Sequence, residues 1–108
     1  NAFGIAFTGT LIAQNISDTA ANLATANVAS AYIGSGSNII IDETGANVAA
    51  TVAQLSAIDT KNDGGSLTYT AVKDSVANLL PSGTISSYAS AGGNKTLTIT
   101  DTSVAALI

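Results

Sequence analysis

Apolar positions fall into two kinds of segment that alternate along the chain. The first kind is short and built from Thr, Ile, Leu and Tyr: Ser37-Asn38-Ile39-Ile40-Ile41, Ser66-Leu67-Thr68-Tyr69-Thr70 and Thr96-Leu97-Thr98-Ile99-Thr100. β-Branched and aromatic side chains suit a pleated, half-buried surface, so each predicts a strand. A glycine-bearing turn precedes each one, namely Gly34-Ser35-Gly36, Asp63-Gly64-Gly65 and Gly92-Gly93-Asn94. Residues 3–12 read as a further apolar strand ahead of the first of these units.

The second kind is rich in alanine and opens with Asp or Ser followed by Thr or Ser. A side-chain oxygen there accepts from the free N–H groups of a first helical turn, and an acidic group suits the positive end of the helix dipole. Val48, Val52 and Leu55 recur at i, i+4 and i+7, which predicts a helix over residues 44–57 with those three turned inward. Val76, Leu79 and Leu80 predict a shorter helix, stopped by Pro81, which has no N–H and restricts the residue before it. Residues 82–95 fit either a second short helix carrying Ile85 and Tyr88 or an irregular crossing.

The helical segments are copies of one another. Ile16 to Leu23 aligns without gaps with Ile41 to Val48, and Asp74 to Leu80 is a third copy. Thr102 to Ile108 matches that third copy, with Ala106 where Asn78 stands. The units are therefore 16–41, 42–70, 71–100 and a partial 101–108, within one repeat domain spanning residues 1–108. A helix that cannot bury its stripe alone, joined to one strand and repeated with a period of roughly 28 residues, describes a solenoid turn. The fold class expected is α/β, a repeat solenoid with a short helix and a short parallel strand per turn. The alternative is a compact β-rich single domain.

Composition narrows the function. Charged residues are 9% of the chain, and solubility rests on Ser, Thr, Asn and Gly, which points to a secreted or cell-surface setting. The basic residues are Lys61, Lys73 and Lys95, with no Arg, so there is no cluster to neutralise phosphates and nucleic acid is excluded as a partner. No stretch reaches the roughly 18 apolar residues of a spanning helix, so the chain is expected not to be membrane-spanning. It begins at Asn1 rather than Met, which implies a processed product or a piece of something longer.

The sequence Asp18-Thr19-Ala20-Ala21-Asn22-Leu23, taken with Leu97-Thr98-Ile99-Thr100-Asp101-Thr102, resembles tandem repeats of large secreted bacterial surface proteins. These are the adhesin-like or S-layer-like arrays associated with RTX-type (type I) secretion. The resemblance covers residues 16–108 and is diluted by Pro81 and the linker after it. It implies an exported, non-catalytic array segment and names no ligand.

Candidate chemistry is sparse. Without His, Cys or Arg the usual nucleophile and base pairs are missing, and no catalytic or cofactor-binding residue is expected. Asp18, Asp42, Asp74 and Asp101 open the units and read as helix caps. Asp59-Thr60-Lys61-Asn62-Asp63-Gly64 has oxygen ligands at the first and fifth positions and glycine at the sixth of a calcium loop. Lys61 takes the third ligand position and Thr70 stands where a bidentate Glu belongs, so the stretch reads as a solvated turn, with no metal. Asn22, Asn47 and Asn78 recur in the units and read as buried amides that bond backbone or one another. Asn15-Ile16-Ser17 and Asn94-Lys95-Thr96 match the glycosylation pattern at a rate expected by chance, while Tyr32, Tyr69 and Tyr88 read as packing at the core edge. The expected function is a structural segment of a bacterial surface protein, fibre or layer that associates with itself end to end or with neighbouring repeats. The alternative is an adhesin segment that binds a glycan or host surface.

Overall fold

The computed structural model describes residues 13–45, 49–90 and 95–101. In chain order the elements are β1 (Ala13–Asp18), α1 (Ala20–Leu23), β2 (Ala24–Thr25), β3 (Val28–Ala29), β4 (Ile33–Ile41), α2 (Val52–Asn62), β5 (Leu67–Thr68), β6 (Ala71–Asp74), α3 (Val76–Leu79), a 3-10 turn (Pro81–Gly83), α4 (Ser87–Ser90) and β7 (Thr96–Ile99). The architecture is α/β with parallel sheets. Strands β1, β4 and β5 form one parallel sheet in that order, and β6 and β7 form another. β2 and β3 make a small antiparallel hairpin.

Parallel neighbours cannot be joined by a tight turn and need a crossover, which is the space the short helices occupy. Ile16 faces Ile39, Ile39 faces Leu67, and Val72 faces Leu97, so each strand lies beside the corresponding strand of the next segment. A parallel bridge from Ala50 to Val72 adds a position to the second ladder.

The core lies between these strands and the helices. Leu23, Ile33, Ile39, Leu55, Ile58 and Val72 are its largest fully buried apolar side chains. Ala20, Ala24, Ala50 and Ala89 fill the close approaches between them. An alanine-rich chain therefore makes a thin core in which small residues set the distance between backbones. Along β4 the alternation is that of a strand with one covered face: Ser37, Ile39 and Ile41 point in, while Asn38 and Ile40 point out.

Several sequence-based boundaries move. The helix expected over residues 44–57 is α2, Val52–Asn62. Its start is fixed by Thr51 and Gln54: the Thr51 Oγ1 accepts from the Gln54 N–H, and the Gln54 Oε1 accepts from the Thr51 N–H. This reciprocal pair satisfies two free amides at once. Asp42 instead accepts from the Thr44 N–H and hydroxyl, closing a local turn. The inward stripe of α2 is consequently Leu55, Ile58 and Asn62, with Val52 half-buried and Val48 outside the described residues.

Gly34-Ser35-Gly36, expected as a turn, lies inside β4. Ala13 faces Ile33 but Asn15 already faces Asn38, so the stretch between them bulges out of the ladder. Gly36 has φ +86°, and the Gly34 N–H donates to the Ser37 Oγ. The strand expected over residues 66–70 is shortened to β5, where the Glu43 carboxylate takes the N–H groups of Thr70 and Ala71, and β6 follows at Ala71–Asp74 as a strand that was not expected. At Gly65 a Cβ would collide with the Ser37 carbonyl, so the turn after α2 requires glycine for close approach. α3 ends at Leu79 before Pro81, and Tyr88 sits on the short helix α4. The expected strand at 3–12, the turn residues Gly92-Gly93-Asn94 and the partial unit after Asp101 lie outside the described residues.

Candidate functional site

The polar residues that recur along the sequence build one small device twice. In the first copy the Asp18 Oδ1 accepts from the Thr19 N–H at 2.7 Å and from the Asn22 side-chain amide at 2.9 Å. Thr19, as N-cap of α1, accepts from the Asn22 N–H at 3.2 Å. In the second, the Asp74 Oδ1 accepts from the Ser75 N–H and the Asn78 amide, each at 2.8 Å, and Ser75 caps α3 by accepting from the Asn78 N–H at 3.2 Å. The helix-capping role expected of Asp18 and Asp74 thus belongs to Thr19 and Ser75 within their own units. The acid one step earlier fixes the Asn that closes the turn, because Asn reaches back four residues along the helix.

The outer oxygens reach further. The Asp74 Oδ2 accepts from the N–H of Val52, the first residue of α2, at 2.9 Å. The Asp101 Oδ2 accepts from the N–H of Val76, the first residue of α3, at 2.7 Å. A helix N-terminus leaves such groups without an intrahelical partner and carries partial positive charge, so a carboxylate from the following segment is a fitting cap. At Asp18 the Oδ2 accepts from the Tyr32 hydroxyl instead.

These bonds set the acidities. The Asn22 amide, the Thr19 N–H and the Tyr32 hydroxyl hold the Asp18 carboxyl below its ordinary value, against a smaller opposing effect of burial and of Asp42. At Asp74 burial is the largest single influence and raises the pKa, but the Asn78, Ser75 and Val52 donors together outweigh it, and the net direction is down.

Asparagines play two different parts. Asn22 and Asn78, expected as buried amides, are exposed and bond the carboxylates described above; Asn47 lies outside the described residues. Their long side chains are used at the helix surface, where the acid one turn back is the nearest acceptor. The buried amide is Asn62, at the inner end of α2, and sequence reasoning placed it in a solvated loop. Its Nδ2 donates to the Ser37 and Ser66 carbonyls, each at 3.0 Å, and so ties β4 to the segment leading into β5. Its Oδ1 has no hydrogen-bond partner among the described residues.

The calcium-loop candidate is dispersed by the fold. Residues 59–62 are the last turn of α2, so the expected solvated turn is confined to Asp63 and Gly64. The Asp59 Oδ2 accepts from the Tyr88 hydroxyl, while the Asp63 Oδ2 accepts from the Ser35 hydroxyl. Among the described residues no group of three or more His, Cys, Asp or Glu converges as a metal site, and no helix is long and apolar enough to cross a membrane.

An open cleft of about 680 Å³ runs along the junction of the β2–β3 hairpin with α2 and is lined mainly by small side chains, among them Ala29, Ala53, Ser56 and Ala57. A smaller hollow of about 210 Å³ is lined by Asp59, Leu67, Tyr69 and Tyr88. Its polar groups are already engaged: the Tyr69 hydroxyl donates to the Tyr88 carbonyl at 2.6 Å, and Lys95 donates to the Tyr69 carbonyl while lying over its ring. Burial, more than any neighbouring charge, pushes the tyrosine hydroxyls of Tyr32, Tyr69 and Tyr88 up. Asn15 of the first glycosylation pattern accepts from the Asn38 amide, and Asn94 of the second is outside the described residues.

The signal that finds the twofold device is a longer internal match. Asp18, Asn22, Leu23, Ser30 and Tyr32 recur, identical and in one register, as Asp74, Asn78, Leu79, Ser86 and Tyr88. The unit-to-unit matches described above stop at the helix and leave Ser30 and Tyr32 unread. No protein-family model, no curated protein and no solved structure matches this chain.

Proposed function

We propose that the chain is a non-catalytic structural segment of an extracellular bacterial surface protein, fibre or layer. In this reading, successive units stack as turns of a solenoid and copies associate end to end. The observation that carries the reading is the bonding between segments: the N–H that opens α2 is held by Asp74, and the N–H that opens α3 by Asp101. A helix of one unit is complete only when the strand end of the next lies beside it. Polar ties between units also run from Asn38 to Ser66 and from Glu43 to Ala71.

An arrangement of this kind places its interactions between neighbouring units, as repeat arrays do. Strand β7 is exposed along its length, with Leu97 and Ile99 prominent. Exposed apolar strand residues at an end invite another chain, which favours partners of the same kind over a small ligand. The scarcity of charge and the abundance of Ser, Thr, Asn and Gly support an exported setting.

Sedimentation velocity of the full chain over a wide concentration range tests the reading, alongside a variant lacking residues 102–108. Association that grows with concentration and weakens on truncation is expected. A monomer at every concentration, unchanged by truncation, overturns self-association.

A further inference from the structure

The longer match extends into the chain reversals that follow α1 and α3, and there the two copies differ in what covers them. In the first copy the chain reverses through Ala26 and Asn27, both at positive φ (51° and 64°). In the second, Ser82 and Gly83 do the same (57° and 79°). The Ser30 N–H donates to the Leu23 carbonyl at 2.8 Å, and the Ser86 N–H donates to the Leu79 carbonyl at 2.7 Å. With the two carboxylate devices, the capped helix, the positive-φ reversal and the closing Ser-to-Leu bond of Asp18–Ser30 thus recur in Asp74–Ser86, with a 3-10 turn at Pro81–Gly83 where the first copy pairs β2 with β3.

The first hairpin is packed by α2, which lies against α1, β2 and β3 and leaves Ala24 at 0% exposure. The equivalent of Ala24 is Leu80, and the equivalent of Ala29 is Ile85. Both are larger and apolar, and both stand 44% exposed. Larger apolar side chains thus stand exposed at the equivalent of Ala24, which α2 covers in the first copy, and at the equivalent of Ala29, which is half-buried beside it, the opposite of the polar substitution a closed end requires.

We infer that Leu80 and Ile85 form the seat for a helix of the α2 type, an amphipathic segment with the Leu55 and Ile58 stripe, contributed by the repeat unit that follows. The occupant is fixed by internal precedent: the equivalent segment of the same chain already holds such a helix in its first copy. Covering two exposed aliphatic side chains supplies the driving force, and the Leu79–Ser86 backbone bond holds the seat in shape before the helix arrives. The inference rests on the repeat reading above, but not on association between separate molecules.

The test supplies the following unit covalently. The chain through Ala106 is joined to a second copy of residues 51–101, so that the added helix follows Leu80 and Ile85 at the same distance along the chain as α2 follows Ala24 and Ala29. The tandem protein is expected to melt several degrees above the parent. Leu80→Asp, with or without Ile85→Asp, is expected to cancel that gain while leaving the parent's melting unchanged, since both positions are exposed there. As the chain has no cysteine, thiol labelling of L80C reads the same contact without reference to melting. Labelling in the tandem protein is expected to slow at least about tenfold relative to the parent, as for a position reached only through local opening. Equal labelling rates, or a melting gain that survives both aspartates, overturn the seat. A parent that stays monomeric in sedimentation does not bear on it, so the two failures are distinguishable.

Discussion

The Asp74 carboxylate accepts a hydrogen bond from the Val52 N–H across 22 residues of chain, at 2.9 Å, while its other oxygen holds Ser75 and Asn78. One side chain thereby holds the first N–H of α2 and braces the Ser75 and Asn78 pair that caps α3. It is 8% exposed, so its bonds are not exchanged for water at small cost. Asp74→Ala leaves the three donors without this acceptor, and a loss of roughly 2–4 kcal/mol in urea unfolding is expected, since hydrogen bonds to a charged group exceed neutral ones. Asp18→Ala, whose carboxylate holds no other helix, is expected to cost less. Equal losses at the two sites would show that the bond to α2 contributes nothing.

Acid should loosen the fold through the same groups. Asp18 and Asp74 are both held below the ordinary value of 3.8 in the folded chain. As pH falls the unfolded chain takes up protons first. The stability these groups contribute is therefore present above 3.8 and is lost as pH falls through their lower folded values. The urea midpoint is expected to hold steady from about pH 7 to about pH 5 and to drop below that window. Asp74→Asn should start lower at neutral pH and fall less steeply. A midpoint that rises on acidification would contradict the assignment.

The stripe of α2 gives a second contrast. Leu55 is fully buried, and Leu55→Ala is expected to cost about 2–5 kcal/mol, the range for large-to-small changes in a core. Thr51→Ala removes half of the capping box and is expected to cost about 1 kcal/mol. Ala53→Ser, on the exposed face, should be silent in thermal unfolding. If it matched Leu55→Ala, the helical face would be misassigned.

The first hairpin turn offers a stabilising change. Ala26 is held at φ 51°, where its Cβ meets the following carbonyl, and Asn27 at 64°. A two-residue turn with both central residues at positive φ prefers Asn-Gly. Replacing Ala26 with Asn and Asn27 with Gly is expected to gain roughly 1 kcal/mol, read as a raised melting temperature. Ala26→Val should lower it.

Much of the strand content was legible because Thr, Ile and Leu in short runs admit few other uses. Ile39 to Ile41, Leu67 to Thr68 and Thr96 to Ile99 are strands as their composition requires. The helix of the second unit was misplaced for a specific reason. Asp42-Glu43-Thr44 carries the same residue types as the start of a capped helix, and a local pattern does not reveal that Asp42 closes a turn while Glu43 reaches Thr70 and Ala71. Asn62 was missed for a related reason: in sequence it sits among Lys61, Asp63 and Gly64, and only the approach of Ser37 and Ser66 buries it.

The sequence by itself determined the alternation of helix and strand, the absence of His, Cys and Arg, and the recurrence of Asp, Ser or Thr, and Asn at fixed spacing, since backbone propensity and side-chain reach act over a few residues. The tertiary structure alone decided which carboxylate serves which helix. Asp74 belongs by sequence to α3 and by geometry to α2 as well, and that second bond exists only because parallel pairing carries β6 past Ala50, bringing residues 22 apart within hydrogen-bonding distance.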